Sequence, residues 1–287
     1  MPRYARPSTP DEAIALLAEG GWTILAGGTD FYPAQGARPI RDDILDIGAI
    51  EALRGIREDK GDIVIGAATS WTEIVRARLP MAFDALKAAA REVGSVQIQN
   101  TGTIAGNLCN ASPAADGVPA LLVLDAEVEL ASTRGIRRLP LRDFVLGNRR
   151  TARAADELVT AIRVPTASAA GRSSFFKLGA RRYLVISIAM AAVRVETDLQ
   201  GRIARCAIAV GACSAVARRL ERLEADLVGR PADAAALGVI GERHFDGLAP
   251  IDDVRASAVY RMEAAREIVG RALADAFGTT AGQGVAA

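Results

Sequence analysis

The chain of 287 residues contains a single histidine and three cysteines. A metal site built from several histidines is excluded, and a Ser-His-Asp triad is not expected because His244 lies in a polar stretch. Cys109, Cys206 and Cys213 cannot pair evenly and lack CxxC spacing, so neither a disulfide framework nor a cysteine metal site is expected. Chemistry must therefore come from a bound cofactor or from carboxylates.

No excess of one charge sign is present, because 35 basic and 34 acidic residues leave a net charge of +1. Without such an excess, neither nucleic acid nor an anionic membrane is an expected partner. The most apolar runs, 118–124 and 184–193, are too short to span a bilayer, and the first residues lack the apolar core of a signal peptide. The chain is therefore expected to be soluble and cytoplasmic.

Half of the residues are hydrophobic, which suffices for a buried core, and the length predicts two or three domains. A capping box of Thr9 and Glu12, with Pro10 at the first helical position, predicts the first helix. The run 22–26 predicts a buried strand that ends in the turn Gly27-Gly28-Thr29-Asp30. A helix followed by a strand indicates an α/β beginning.

The remaining pattern predicts further strands and helices around two irregular segments. Strands are predicted at 62–67, 127–131, 158–164, 187–196 and 203–210. Helical segments are predicted after Ser70, whose capping box includes Glu73, and at 81–93, 118–124, 215–227, 233–240 and 252–277. Residues 95–116 are uncharged without a helical period, which predicts a long functional loop, and 166–174 has the composition of a linker.

Two glycine-rich segments carry the candidate chemistry. Gly27-Gly28-Thr29-Asp30 alone is explained by a tight turn, but 101–116 adds a second run of Gly, Asn, Thr and Ser. Glycine lets the backbone approach a ligand, and consecutive amides bind an anion without lysine or arginine. Nearby hydroxyls and amides, with Asp116, can bind sugar hydroxyls. These donors and acceptors together predict a dinucleotide ligand. The two familiar nucleotide-binding motifs are not the ones used, because no GxGxxG opens a βαβ unit and no GxxxxGK[ST] is present.

These segments resemble the paired flavin signatures of a known family. Ala26-Gly27-Gly28-Thr29-Asp30, Thr103-Ile104-Ala105-Gly106-Asn107 and Asn110-Ala111-Ser112-Pro113-Ala114-Ala115-Asp116 are similar to those of the FAD-binding medium subunits of molybdenum hydroxylases. This family includes xanthine dehydrogenases and carbon monoxide dehydrogenases. The likeness spans nearly the whole chain, since Glu157-Leu158 and Ala258-Val259-Tyr260-Arg261 match it further on.

The resemblance implies an α+β fold. A vanillyl-alcohol-oxidase type (PCMH-like) FAD-binding domain of two α/β subdomains would be followed by a C-terminal α+β domain with a small antiparallel sheet and helices. The expected domains are 1–168, with subdomains at about 1–56 and 57–168, and 172–277, before a mobile tail at 278–287.

The resemblance also assigns the FAD-binding residues. The first segment would wrap the pyrophosphate and the second would meet it, while Asp116 binds sugar or ribityl hydroxyls and Val159 offers backbone contacts near the adenine. Lys177 takes the place of a cofactor-contacting lysine, although a solvated surface lysine is the alternative. The residues are Ile24, Leu25, Ala26, Gly27, Gly28, Thr29, Asp30, Phe31, Thr103, Ile104, Ala105, Gly106, Asn107, Asn110, Ser112, Asp116, Val159 and Lys177. No catalytic or metal-binding residue is expected on this chain.

Two departures from the family pattern bear on the flavin. Ala105 stands where the family commonly has glycine, which is expected only to tighten the loop. Residues 181–189 lack the acidic residue that many members have just before Ile188-Ala189. The resemblance places this segment beside the isoalloxazine ring and the acceptor site, where Tyr183 either stacks on the flavin or only packs.

The implied function is that of an oxidoreductase subunit that transfers electrons. A large partner would carry molybdopterin, a small partner would carry [2Fe–2S] clusters, and FAD on this chain would pass electrons to NAD+, oxygen, or a quinone or carrier protein. The expected complex is a heterotrimer, and whether it dimerises stays open. The alternatives are a self-sufficient FAD reductase of the UDP-N-acetylenolpyruvoylglucosamine reductase type and a flavin-free structural subunit.

Overall fold

The computed structural model describes residues 2–279, and these form two compact units. Unit 1 consists of the residues up to Ala77, Val93–Ser112 and Asp125–Thr166. Unit 2 consists of Arg78–Glu92, Pro113–Leu124 and the residues from Ala167 onward. The predicted mobile tail, from residue 280 to its end, lies outside the described residues.

Helices and strands are both abundant in the described part of the chain. The strands are β1 Tyr4–Ala5, β2 Trp22–Leu25, β3 Asp43–Asp46, β4 Ile56–Asp59, β5 Asp62–Gly66, β6 Glu127–Ser132, β7 Gly135–Pro140, β8 Val145–Gly147, β9 Arg150–Thr151, β10 Leu158–Pro165, β11 Arg172–Leu178, β12 Ala189–Thr197, β13 Ile203–Gly211 and β14 Arg218–Arg219. The α-helices are α1 Pro10–Glu19, α2 Phe31–Gln35, α3 Trp71–Arg76, α4 Asp84–Glu92, α5 Val96–Thr101, α6 Ile104–Asn110, α7 Gly117–Leu122, α8 Leu141–Phe144, α9 Glu221–Leu227 and α10 Ala258–Phe277. Turns of 3-10 helix occupy Glu51–Leu53, Met81–Phe83, Thr166–Ser168, Ala234–Val239 and Glu242–His244.

Unit 1 contains a parallel and an antiparallel sheet. The parallel sheet has the order β1-β3-β2, and its apolar residues share a core with α1 that includes Leu17, Leu45 and Ile50. The antiparallel sheet has the order β4-β5-β10-β6-β7. Its central strand, β10, is buried along most of its length, with Ile162 opposite Ile65 of β5. The parallel strands therefore end at one edge, where the first glycine-rich segment begins.

Unit 2 is built on an antiparallel sheet in the order β11-β12-β13-β14. The long helix α10 packs on β11 and β12, and α9 packs on β13. Strands β12 and β13 form the predicted hairpin, in which the Asp198 carboxylate accepts hydrogen bonds from the amides of Gln200 and Arg202. Alternating apolar residues of both strands face the helices and form the core of this unit.

Both predicted capping boxes are confirmed. The Thr9 hydroxyl accepts a hydrogen bond from the Glu12 amide at the start of α1, and the Ser70 hydroxyl accepts one from the Glu73 amide at the start of α3. In each case the glutamate side chain accepts in turn from the backbone amide of the capping residue. Local side-chain chemistry therefore sets where these helices begin.

The predicted irregular loop at 95–116 is wrong, because α5 and α6 lie within it. The Ser95 hydroxyl accepts from the Ile98 amide and the Thr103 hydroxyl accepts from the Gly106 amide, so each short helix begins at a cap. Helices of six and seven residues are too short to show a period, which is why the pattern concealed them.

Three other predictions need correction in unit 2. The helix predicted at 252–277 begins only at Ala258, because the Ser257 hydroxyl caps it by accepting from the Tyr260 amide. The predicted linker extends only to the start of β11, because Ser173 and Ser174 are buried residues of that strand. The helix predicted at 215–227 begins only at Glu221, since Arg218 and Arg219 pair with β13 as β14. Within the described residues, no helix is both long and apolar enough to cross a membrane.

Candidate functional site

The first glycine-rich segment follows the carboxyl end of β2 in unit 1. A Cβ built on Gly27 would collide with the carbonyl oxygen of Thr101, so the two backbones are in close contact. Gly28 has φ +70°, and a Cβ there would lie 2.6 Å from Cε2 of Tyr32. Both positions therefore require glycine, the first for close approach and the second for its left-handed conformation.

The amides of this segment have no acceptor of their own. Within residues 2–279, no hydrogen bond is donated by the backbone N–H groups of Gly27, Gly28, Thr29 or Asp30. The carbonyl oxygens of Gly28 and Asp30 do accept, from the amides of Tyr32 and Ala34, which holds the turn into α2. Successive amide donors without a partner are the chemistry that binds an anionic group through the backbone.

The second segment enters α6 through a fixed turn. The Thr103 hydroxyl caps the helix by accepting from the Gly106 amide at 3.1 Å. The amides of Ile104 and Ala105 donate to the carbonyl oxygens of Thr69 and Ala67, at 3.0 and 3.2 Å. The backbone just after the cap is thus held by the chain at Ala67 and Thr69, and the Ala105 amide is one of the two donors.

A buried amide oxygen in α6 lacks a partner. Oδ1 of Asn107 is inaccessible to solvent and accepts no hydrogen bond from the described residues. Leaving a buried polar atom unpaired is costly, so such an atom points to a missing donor. Nearby, the Asn110 side chain donates to the Asp30 carboxylate at 2.9 Å and links α6 to the first segment. Unit 1 therefore has the glycine cradle and the unsatisfied polar atom that a phosphate- and sugar-bearing ligand would fit.

Three other predicted FAD-binding residues of unit 1 lie outside the two glycine-rich turns. Ile24 lies in β2, where it pairs with Leu45 and packs against the core of α1, so its side chain has a structural role. Val159 is buried in β10 at a register shift, and this strand contacts α6. Ser112 follows α6 at the end of Val93–Ser112 and is partly buried.

In unit 2, Asp116 and Lys177 form a buried ion pair. Nζ of Lys177 lies 2.8 Å from Oδ2 of Asp116, and the two side chains are 6% and 9% exposed. Lys177 also donates to the carbonyl oxygen of Glu92 at 3.3 Å, and the Ser187 hydroxyl donates to Oδ1 of Asp116 at 2.9 Å. The alternative of a solvated surface lysine is therefore wrong, because Lys177 is buried and paired.

The environment of Asp116 has opposing effects on its charge. Burial raises the pKa of the Asp116 carboxyl above its ordinary value, while the ammonium of Lys177 and the hydroxyl of Ser187 act in the opposite direction. A buried carboxylate with two donors is satisfied on both oxygens, and each oxygen keeps a lone pair for a further donor.

The segment that departs from the family pattern, 181–187, exposes apolar side chains. Tyr183, Leu184 and Ile186 are all more than half exposed, and Leu184 has φ +53°. The Arg181 guanidinium donates to the carbonyl oxygens of Tyr183 and Leu184, which stabilises the turn. The segment therefore exposes both apolar side chains and the arginines Arg181 and Arg182.

Ser187 is the contact that sequence reasoning missed. The sequence places Ser187 in the segment 181–189 and not among the FAD-binding residues, yet it is 1% exposed and bonded to Asp116. A usable signal was present, since Ser187 is the one hydroxyl in the apolar run 184–193. A hydroxyl buried in such a run needs a partner.

Two family models cover most of the chain. The model described as "FAD binding domain in molybdopterin dehydrogenase" matches residues 1–167, and the model described as "CO dehydrogenase flavoprotein C-terminal domain" matches residues 174–276. The nicotinate dehydrogenase FAD-subunit of Eubacterium barkeri is 32% identical, over 95% of this chain and 95% of that protein.

Other relatives and solved structures agree with these matches. The 6-hydroxypseudooxynicotine dehydrogenase complex subunit alpha of Paenarthrobacter nicotinovorans is 31% identical, over 96% of this chain and 94% of that protein. A structure of carbon monoxide dehydrogenase from Hydrogenophaga pseudoflava, lacking the Mo-pyranopterin moiety, has a chain that matches with a TM-score of 0.88 and 29% identity, covering 98% of each chain.

Proposed function

Because this chain belongs to the family of FAD-binding medium subunits of molybdenum hydroxylases, we propose that it takes electrons from [2Fe–2S] clusters on a small partner subunit and delivers them to an external acceptor. It is an oxidoreductase component with the α+β fold and FAD-binding domain predicted from the sequence. A large partner subunit would hold the molybdopterin and the substrate.

FAD supplies reversible one- and two-electron chemistry when it is bound, and the protein supplies binding and orientation. The amides of Gly27, Gly28, Thr29 and Asp30 bind the pyrophosphate, since they are consecutive donors without acceptors. The unpaired Oδ1 of Asn107 accepts a hydrogen bond from a hydroxyl group of the ligand. This cluster of unsatisfied groups beside a glycine cradle is the observation that carries the proposal.

The other predicted FAD contacts keep their assignment as proposals. Asp116 and Lys177 bind the cofactor as a preformed ion pair, and Val159 contributes its backbone. The domain limits 1–168 and 172–277 and a cytoplasmic location also stand as proposals.

Two alternative functions are distinguished from this one, the first by the family match and the second by the colour of the purified protein. A self-sufficient reductase of the UDP-N-acetylenolpyruvoylglucosamine reductase type is disfavoured by the match of residues 174–276 to a CO dehydrogenase flavoprotein domain. A flavin-free structural subunit would give a colourless protein that binds no added FAD.

The decisive experiment is to produce the chain alone and together with the products of neighbouring genes. We expect about one FAD per chain in both preparations, and a stable complex burying roughly 1,200 Å² or more in the second. In the complex, substrate should reduce the flavin. A monomer that ignores these partners and oxidises a substrate unaided would refute the subunit role in favour of the reductase.

A further inference from the structure

The two oxygens of the Asp116 carboxylate are held by donors from opposite ends of one loop. Lys177 lies near the end of β11, before the loop, and Ser187 lies just ahead of β12, after it. The loop is closed at its base, where the Ile188 amide donates to the Leu178 carbonyl oxygen at 2.7 Å. Asp116 is therefore attached to both ends of an ordered loop.

The position of the Ser187 hydroxyl is fixed by its backbone. The carbonyl oxygen of the next residue, Ile188, accepts a buried hydrogen bond of 2.6 Å from the Arg261 guanidinium. Arg261 is itself 3% exposed and paired with Asp253 at 2.7 Å. Because the backbone beside Ser187 is bonded through both its amide and its carbonyl group, the hydroxyl has little freedom except to donate to Asp116.

We propose that Ser187 is a positioning residue for the cofactor, acting through Asp116. Its hydroxyl holds the carboxylate in one orientation and thereby sets how tightly the Asp116–Lys177 pair binds FAD. This inference rests on the proposed function, which assigns that pair to the cofactor. It also makes the loop 179–187 responsive to FAD, because any change at Asp116 is transmitted to both loop ends.

A matched pair of variants separates this role from simple packing. Ser187→Ala removes the hydroxyl that donates to Asp116, whereas Ser174→Ala removes a hydroxyl that is also buried in unit 2 and donates to Asp275 at 2.7 Å. Ser187→Cys keeps nearly the same shape with a much weaker donor, so it serves even if the alanine variant does not fold. Thermal unfolding of each apo-protein checks the fold.

Three measurements are made on each variant of the full chain: the FAD dissociation constant, the visible absorbance spectrum of bound FAD, and hydrogen exchange of residues 179–187 with and without FAD. We expect both Ser187 variants to bind FAD about tenfold more weakly, as loss of a hydrogen bond to a charged group implies. Their flavin spectrum should change, and FAD should no longer slow exchange in the loop. Ser174→Ala should match wild type in all three.

The outcomes distinguish the two proposals. Wild-type protein that binds no FAD would overturn the proposed function and this inference together. Wild-type protein that binds FAD, with Ser187 variants indistinguishable from Ser174→Ala, would overturn only the role of Ser187.

Discussion

At the scale of single residues, Gly28 is the position where backbone conformation and ligand binding coincide. Its φ of +70° favours glycine, and its amide belongs to the unpaired donors of the first segment. Gly28→Ala should cost about 1–2 kcal/mol of stability through the left-handed conformation. It should also weaken FAD binding at least tenfold, because the added methyl group alters the cradle, as equilibrium dialysis would measure.

Gly61 provides the control for this prediction. It has φ +84° with no atom near the position of a Cβ, and it lies in the turn between β4 and β5. Gly61→Ala should lose only the stability that the left-handed conformation costs, and it should keep full FAD affinity. Equal FAD binding by the two variants would show that the first segment does not hold the pyrophosphate.

A second residue, Glu157, should make the free energy of unfolding decrease as the pH falls into the acid range. The Arg137 guanidinium, at 2.6 and 2.8 Å, and the Ala154 amide hold the pKa of the Glu157 carboxyl below its ordinary value. The stabilisation is therefore complete above the unfolded pKa of about 4.3 and is lost as pH falls through the lower folded pKa. Glu157→Gln should cost about 1.5–3 kcal/mol near pH 7, and the difference from wild type should vanish in strong acid.

Denaturant titrations between pH 7 and pH 2 would test this, with Glu58→Gln as the control. Glu58 is exposed on the edge strand β4, so its substitution should leave stability nearly unchanged at each pH. A constant difference between Glu157→Gln and wild type across the whole range would contradict the assignment.

At the scale of secondary-structure elements, the cap of α6 serves both the fold and the candidate site. The Thr103 hydroxyl accepts from the Gly106 amide, just as the Thr9 hydroxyl accepts from the Glu12 amide in α1. Thr103→Ala and Thr9→Ala should each destabilise the protein by about 1 kcal/mol. Only Thr103→Ala should also lower FAD affinity, because α6 carries Asn107.

Calorimetry and FAD titration of these two variants would test the prediction. Thr103→Ser, which keeps the hydroxyl, should restore both quantities. A loss of FAD binding in Thr9→Ala as large as that in Thr103→Ala would mean that general destabilisation, rather than the position of α6, explains the effect.

At the scale of the whole molecule, the proposed function requires a surface at which electrons pass from the flavin to an acceptor. The exposed loop residues Tyr183 and Leu184 are predicted from the family resemblance to lie beside the flavin ring, and they carry no charge to attract or repel an acceptor. Leu184→Asp adds one negative charge, and aspartate tolerates the left-handed conformation of this position better than leucine does. Several ångströms away at an effective dielectric constant near 20, this charge is worth on the order of 2 kcal/mol.

We therefore expect Leu184→Asp to lower the flavin potential by tens of millivolts and to change the relative reoxidation rates with oxygen, NAD+ and a quinone analogue. Tyr183→Ala should change those rates without adding a charge. Leu199→Asp, at a fully exposed position of the β12–β13 hairpin, serves as the control. If all three variants behave like wild type, the loop does not govern the acceptor.

The local signals in the sequence determined much of this protein. Capping boxes at Thr9 and Ser70 predicted where α1 and α3 begin, alternating apolar residues predicted β6, and apolar runs predicted β10, β12 and β13. The resemblance carried by the two glycine-rich segments predicted the family and its FAD. These predictions were possible because each depends on residues close together in the chain, where the types of the side chains alone determine the local hydrogen bonds and burial.

What needed the tertiary structure were the contacts between distant segments. The start of α6 within an unpatterned run is also held by distant chain, because the carbonyl oxygens of Ala67 and Thr69 accept hydrogen bonds from the amides of Ala105 and Ile104. Likewise, Ser187 stands 71 residues from Asp116 in the chain, and no spacing rule connects them. Burial brings these groups together and makes every unpaired polar atom costly, and that cost arises only in the folded chain.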